Sequence, residues 1–259
     1  MKFKTKQLVD RLANIICQWP GVECISLNEA ALPDTLDPYF ALIMDIYHSD
    51  PIPAPEEREA LYGEGVILFE TSRQGNKDRF LIDDIPVRLE YKSVTMIDEL
   101  VNIADTQLKS LWLIKDSGTY TFYRLSHGEI IYTRSSWMDD IRKRLKQLSD
   151  EFWNVMRSTH ESKMQHFLND LGAAFMRNDE FFYLISSAGF IKNAYLALFC
   201  INRRFEPSHR AYYKQVLELK KSPDSFRSYA ETFLRSDEDL TMERKYSVAQ
   251  LIAREIVAL

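Results

Sequence analysis

The pattern of apolar residues changes near Ser135, and this change constrains the fold more than any other feature of the sequence. Before Ser135, short apolar or alternating runs typical of strands are separated by Gly, Pro and Asp residues. After Ser135, the apolar spacing is helical almost to the C-terminus. We therefore predict an α+β protein with a mixed α/β domain at residues 1–134 and a helical bundle at residues 135–259.

Two helices and a series of strands account for most of the first part. Helical spacing covers residues 4–18, ended by Pro20 and Gly21, and residues 95–104. Strands are predicted at residues 22–27, 39–47, 65–70, 79–82 and 86–92, followed by a β-hairpin at residues 119–134 around His127 and Gly128. In the second part, Phe181 to Asn202 is rich in apolar and small residues and is predicted to be the central buried helix.

Charge and cysteine content restrict the partners and the compartment. The formal net charge of −5 predicts no general attraction to nucleic acid. We find neither the apolar run of a secretory signal near the N-terminus nor a long uncharged stretch elsewhere, so no membrane partner is expected. Three scattered cysteines suit a reducing compartment, and a cytoplasmic location is predicted.

The familiar phosphate-binding glycine motifs are missing from the sequence. The chain has only eight glycines, and neither GxxxxGK[ST] nor GxGxxG occurs. No GxSxG motif of a serine hydrolase occurs either. Any nucleotide site must therefore use a different arrangement of residues.

Two acidic residues stand inside predicted strands. Asp45 lies in the apolar run YFALIMDIY, and Glu90 lies in RLEYK. A buried carboxylate is unfavourable unless it is paired or bound to a metal. Asp45 could be a metal ligand or could pair with Arg88 on a neighbouring strand. Glu90 alternates with Arg88 and Lys92, which is compatible either with a site or with a solvated charged face.

These residues and their order resemble the nucleotidyltransferase superfamily, which includes polymerase-β-like enzymes and aminoglycoside and lincosamide nucleotidyltransferases. In that family one strand ends in a Gly-Ser turn, the next carries Asp-x-Asp, and a neighbouring strand carries a third carboxylate. The matching segments are VECISL, LDPYFALIMDIY and RLEYK, and LALFCINRRFEPSHR resembles the family's helical domain, with Asn202, Pro207 and Arg210 at the matching places. The resemblance covers most of the chain and is closest to uncharacterised bacterial members.

The resemblance implies transfer of a nucleotide from a nucleoside triphosphate to a hydroxyl of an unknown acceptor, with Mg²⁺. Asp45 and Glu90 would be the catalytic residues and the metal ligands. Asn28 and Glu29 occupy the place of the Gly-Ser turn beside the phosphates, and Arg203 and Arg210 would neutralise phosphate charge. These four residues are the candidates for cofactor binding.

The catalytic signature of the family is eroded in this chain. Asn28 and Glu29 replace the Gly-Ser turn, and Ile43 stands where the family has its first aspartate. A substitute carboxylate could come from Glu29, Asp34 or Asp37 in the adjoining segment. The sequence therefore also supports a second hypothesis, an inactive protein on the same scaffold that binds nucleotides or acts as a regulatory or interaction module.

Overall fold

The computed structural model of the chain describes residues 3–28, 42–235 and 241–259. Within these ranges a six-stranded sheet has the order β3-β4-β5-β2-β1-β6. Strands β2 and β5 run parallel, and all other neighbouring strands of the sheet are antiparallel. The strands are β1 (Val22–Asn28), β2 (Leu42–His48), β3 (Val66–Thr71), β4 (Lys77–Ile82), β5 (Ile85–Ser93) and β6 (Glu129–Thr133).

Helices are interspersed with the strands in the first part of the chain, and all described elements after β6 are helices. They are α1 (Phe3–Ile16), α2 (Pro55–Leu61), α3 (Val94–Thr106), α4 (Trp112–Ser117), α5 (Tyr120–His127), α6 (Trp137–Lys146), α7 (Asp150–Arg177), α8 (Glu180–Ile201), α9 (Tyr212–Val216), α10 (Phe226–Leu234) and α11 (Met242–Val257). A mixed sheet followed by a helical region confirms the predicted α+β class.

The two faces of the sheet differ in chemistry because side chains alternate along each strand. Ile25, Met44 and Leu89 belong to an apolar cluster that includes Leu12 and Ile16 of α1, and all five are fully buried. The alternate residues of the same strands, including Ser26, Asp45 and Glu90, point to the opposite face. We call this second surface the polar face of the sheet.

The chain forms two compact units. One contains Met1–Gln107 and Arg124–Gln147, and the other contains Leu108–Tyr123 and Leu148–Leu259. Helix α6 therefore belongs with the sheet, although it follows Ser135 in the sequence. The division into an α/β domain at residues 1–134 and a helical bundle at residues 135–259 stays a prediction.

Long helices α7 and α8 form the centre of the second unit. Ser149 caps α7 by accepting a hydrogen bond from the Phe152 backbone N–H at 3.2 Å. Asn178 then adopts a left-handed conformation, with φ of +52°, that ends α7. Asp179 caps α8 by accepting from the Phe182 N–H at 2.9 Å, so a two-residue connection separates the helices.

Helix α8 is the central helix that the sequence predicted. Phe190, Ala194 and Leu198 are completely buried in the core of the second unit. By length and composition α8 could cross a membrane, but 56% of its most apolar stretch is buried inside the protein. The buried apolar residues of α8 therefore serve the packing of this unit.

The predicted β-hairpin at residues 119–134 is wrong in its first half. Residues 120–127 form helix α5, and only residues 129–133 form a strand, β6. The alternating Thr, Tyr and Phe residues favour a strand locally, but Phe122 and Leu125, three positions apart, are both buried. Burial of this helical face outweighs the β-propensity of the individual residues.

Acid should weaken the folded state through His160 of α7. Its ring is 4% exposed, and Nδ1 lies 3.3 Å from Asn193 Oδ1. Burial lowers its pKa to about 4, and the ammonium groups of Lys163 and Lys192 add to this effect. The unfolded chain binds the proton near pH 6.5. The contribution of the neutral His160 ring to the free energy of unfolding is therefore fully present above that pH and is lost as the pH falls toward 4.

Between neutral pH and about pH 4.5, we expect the free energy of unfolding to fall by about 2 kcal/mol less in His160→Gln than in the original protein. Urea unfolding of the two proteins at both pH values measures this difference. An unchanged pH dependence in the variant would show that His160 does not titrate in this range. His166→Gln, an exposed position on the same helix, serves as the control for the substitution itself.

Candidate functional site

Strand register brings the two predicted acids together on the polar face of the sheet. Asp45 of β2 and Glu90 of β5 are direct partners in the parallel pair. Asp45 also lies opposite Ser26 of β1, and Glu90 lies opposite Lys77 of β4. These four residues form a row across four adjacent strands, so their side chains share one face.

Asp45 is completely buried, and cations of the protein hold both of its carboxylate oxygens. Arg124 Nη2 lies 2.5 Å from Oδ1, and Lys92 Nζ lies 2.9 Å from Oδ2. Asn28 Nδ2 and the Tyr47 hydroxyl also donate to Oδ2, at 2.9 and 3.2 Å. Such complete pairing is what allows a carboxylate to remain charged without contact with water.

Glu90 shares the same cations and is only slightly exposed. Arg124 Nη1 contacts its Oε2 at 2.7 Å, and Arg88 Nε contacts its Oε1 at 3.0 Å. Lys92 and Lys77 lie within 3.7 and 3.9 Å. Burial alone would raise the pKa of Glu90, but Arg124, Lys92, Arg88 and Lys77 together outweigh burial, so that the pKa is below its ordinary value.

Arg124 is therefore the bridge between the two acids. It is 3% exposed and belongs to α5, which ends beside β1. Arg142 Nε donates to the Leu125 carbonyl at 2.9 Å, and its Nη2 donates to the Gly128 carbonyl, which holds the end of α5 in place. A Cβ on Gly128 would lie 2.7 Å from Asn28 Oδ1, so only glycine permits this close approach.

The resemblance implies a Mg²⁺ ion at Asp45 and Glu90. Mg²⁺ needs a near-octahedral set of oxygen ligands, whereas every oxygen of Asp45 and Glu90 contacts a cationic side chain. Within the described ranges, no group of three or more His, Cys, Asp or Glu side chains could hold a metal ion. The described residues therefore do not fit a Mg²⁺ site.

The other predicted residues have different surroundings. Asn28 is buried against Asp45, as described above, whereas Glu29, Asp34 and Asp37 lie outside the described residues. Arg203 belongs to the second unit, where its Nη2 pairs with Asp150 Oδ1 at 2.6 Å on the surface. Arg210 is exposed in the same unit. Roles for Arg203 and Arg210 in phosphate binding stay predictions.

The sequence suggested Arg88 as the partner of Asp45, but the partners are Arg124 and Lys92. Arg88 pairs with Glu90 instead. Lys92 was visible in the sequence only as a member of an alternating charged run. Arg124 had one indication in the sequence, because it is a charged residue beside apolar positions that become buried. The strand predicted at this place did not identify it as a partner of Asp45.

A second buried ion pair, on the apolar side of the sheet, was also missed. Arg58 of α2 donates to both oxygens of Asp78 in β4, at 2.8 and 2.9 Å, and both residues are at most 1% exposed. The hydroxyls of Tyr62 and Tyr91 donate to Asp78 Oδ2 at 2.6 and 2.8 Å. This cluster is fully hydrogen-bonded and enclosed by apolar residues, which indicates a structural role.

The fold is similar to that of a nucleotidyltransferase-like protein from Exiguobacterium sibiricum 255-15, known from a crystal structure. The TM-score is 0.52 and the sequence identity 13%, over 98% of this chain and 74% of that chain. No protein-family model and no curated protein matches the sequence. At this identity the likeness shows the fold alone, and the chain has a nucleotidyltransferase-like fold.

Proposed function

We propose that this protein binds a nucleotide on its nucleotidyltransferase-like fold and does not transfer it. The observation that carries the proposal is the pairing of Asp45, whose two oxygens contact Arg124 at 2.5 Å and Lys92 at 2.9 Å. A guanidinium and an ammonium supply positive charge at this place. Unlike a bound metal ion, they offer no open coordination position at which a hydroxyl could be activated.

Positive charge on the polar face supports nucleotide binding. The side chains of Lys77, Arg88 and Lys92 are 35%, 26% and 17% exposed, so Lys77 is the most accessible of the three. Fixed cations bind phosphate through charge-assisted hydrogen bonds. A cytoplasmic location is part of the proposal.

Nucleotidyl transfer from a nucleoside triphosphate to a hydroxyl, with Mg²⁺, is the second candidate. One observation favours it: Asp45 and Glu90 are direct neighbours on parallel strands and share the guanidinium of Arg124. In the structure these carboxylates contact cations instead of a metal, so this candidate requires Arg124 and Lys92 to leave them. This candidate also requires further oxygen ligands and an acceptor.

Thermal unfolding with each of the four common nucleoside triphosphates tests binding, because a ligand of the folded state alone raises its stability. We expect at least one triphosphate to raise the midpoint by about 5 °C at roughly one hundred times its Kd, and the matching nucleoside to have little effect.

A transfer assay distinguishes the two candidates. The protein is incubated with Mg²⁺, an α-labelled triphosphate and a panel of hydroxyl acceptors, and labelled products and pyrophosphate are measured. We expect neither product above the level of a heat-denatured sample. Label on an acceptor together with pyrophosphate release would refute the non-catalytic proposal and support nucleotidyl transfer.

A further inference from the structure

We infer that the polar face binds the phosphates of its nucleotide in their metal-free form, and that Mg²⁺ weakens this binding. The inference rests on the proposed nucleotide-binding function and specifies the chemical state of the ligand. It follows from three features of the described residues: the number of cations on this face, their accessibility, and the pairing of the acids.

Among the described residues of the sheet strands, cations outnumber acids on the polar face, although the whole chain carries a net charge of −5. Strand register places Lys77 and Arg79 of β4 beside Glu90 and Arg88 of β5. The described strand residues with charge on this face are the cations Lys77, Arg79, Arg88 and Lys92 and the acids Glu70, Asp45 and Glu90, and Arg124 of α5 contacts two of these acids. A local excess of positive charge on an acidic protein marks this surface as a site for an anion.

The cations differ in their exposure and in their existing contacts with acidic side chains of the protein. Arg124 and Lys92 neutralise Asp45, and Arg124 is almost inaccessible. Arg79 is exposed, and Lys77 has only a long contact of 3.9 Å with Glu90. Lys77 and Arg79 can therefore turn toward a phosphate without uncovering a buried acid, and we assign the direct phosphate contacts to them.

Chelation by Mg²⁺ opposes this mode of binding in two ways. It cancels part of the negative charge of the phosphates, which weakens their attraction to fixed cations. A Mg²⁺ ion bound to the phosphates would also be repelled by the positive charges of Lys92 and Arg124. The oxygens of Asp45 are already paired with these two cations and are not free to bind the metal. The favoured ligand is thus a nucleotide whose phosphates are free of divalent cations.

Calorimetric titration with each of the four common nucleoside triphosphates, once in EDTA and once in excess Mg²⁺ at equal ionic strength, tests the inference. We expect Kd to be about tenfold lower in EDTA for the nucleotide that binds. Lys77→Ala and Arg79→Ala should each raise Kd in EDTA by about three- to tenfold, since each removes one charge-assisted contact. Arg73→Ala, which removes an exposed cation from the turn between β3 and β4, should leave Kd unchanged.

The possible outcomes separate the inference from the proposed function. Tighter binding in Mg²⁺ than in EDTA would overturn the inference and leave nucleotide binding intact. Equal Kd values for the Lys77, Arg79 and Arg73 variants would overturn the assignment of the phosphate contacts. Absence of binding for all four triphosphates, in both conditions, would overturn the proposed function together with the inference.

Discussion

Replacing Asp45 with asparagine should lower the free energy of unfolding by about 3–5 kcal/mol. The variant keeps the shape of the side chain but removes a charge that is completely buried. Arg124, itself 3% exposed, and Lys92 would then retain only Glu90 as an anionic partner in the cluster. Uncompensated positive charge in a buried position strongly destabilises a folded protein.

A metal site predicts the opposite sign for the same variant. Two neighbouring carboxylates that await a metal repel each other, so neutralising one of them should leave the metal-free protein equally or more stable. Urea unfolding in EDTA of the original protein and Asp45→Asn measures the difference. Asp10→Asn, an exposed acid on α1, is the matched control and should change stability by less than about 0.5 kcal/mol.

An equal or higher stability of Asp45→Asn in EDTA would therefore contradict the paired-cation description of the site. It would also favour the second candidate function, because the acids would then behave as metal ligands. A large loss of stability would support a structural role for Asp45, in which its charge neutralises Arg124 and Lys92.

Replacing Arg58 with methionine should also destabilise the fold by about 3–5 kcal/mol. Among the described residues, Asp78 would stay completely buried and would keep only the hydroxyls of Tyr62 and Tyr91 as side-chain donors. Arg58 also donates to the carbonyls of Pro53 and Gly75, each at 2.9 Å, so its loss releases the segment before α2 and the turn before β4.

The double variant Arg58→Met/Asp78→Leu separates the ion pair from these backbone contacts. Without a lone buried charge, we expect it to be more stable than Arg58→Met by about 1–3 kcal/mol, because apolar residues can replace a buried pair. Urea unfolding gives all values, with Arg73→Met, an exposed arginine nearby, as the control. A double variant less stable than Arg58→Met would show that Asp78 supports the fold independently of Arg58.

Much of the fold could be predicted because its signals are local. The apolar runs around Ile25, Met44 and Leu89 predicted strands, and the helical spacing of Leu8, Leu12 and Ile16 predicted α1. The apolar length of residues 181–202 predicted α8. Each signal lies within one element, where side-chain periodicity and burial on one face are directly coupled.

Local signals failed where tertiary contacts outweigh propensity. Residues 120–127 contain several β-favouring residues, yet they form α5 and bury Phe122 and Leu125 on one helical face. The boundary at Ser135 marks a true change of pattern. Helix α6 lies beyond it but belongs to the compact unit that contains the sheet, because packing does not follow sequence order.

The sequence by itself determined that Asp45 and Glu90 stand in strands and that the chain resembles nucleotidyltransferases. Only the tertiary structure decided that the two acids are direct partners and that Arg124, 79 residues after Asp45, neutralises both. The physical reason is that a carboxylate in a strand looks the same in sequence whether a metal ion or a guanidinium balances its charge. That choice depends on which distant side chain the folded chain brings within about 3 Å.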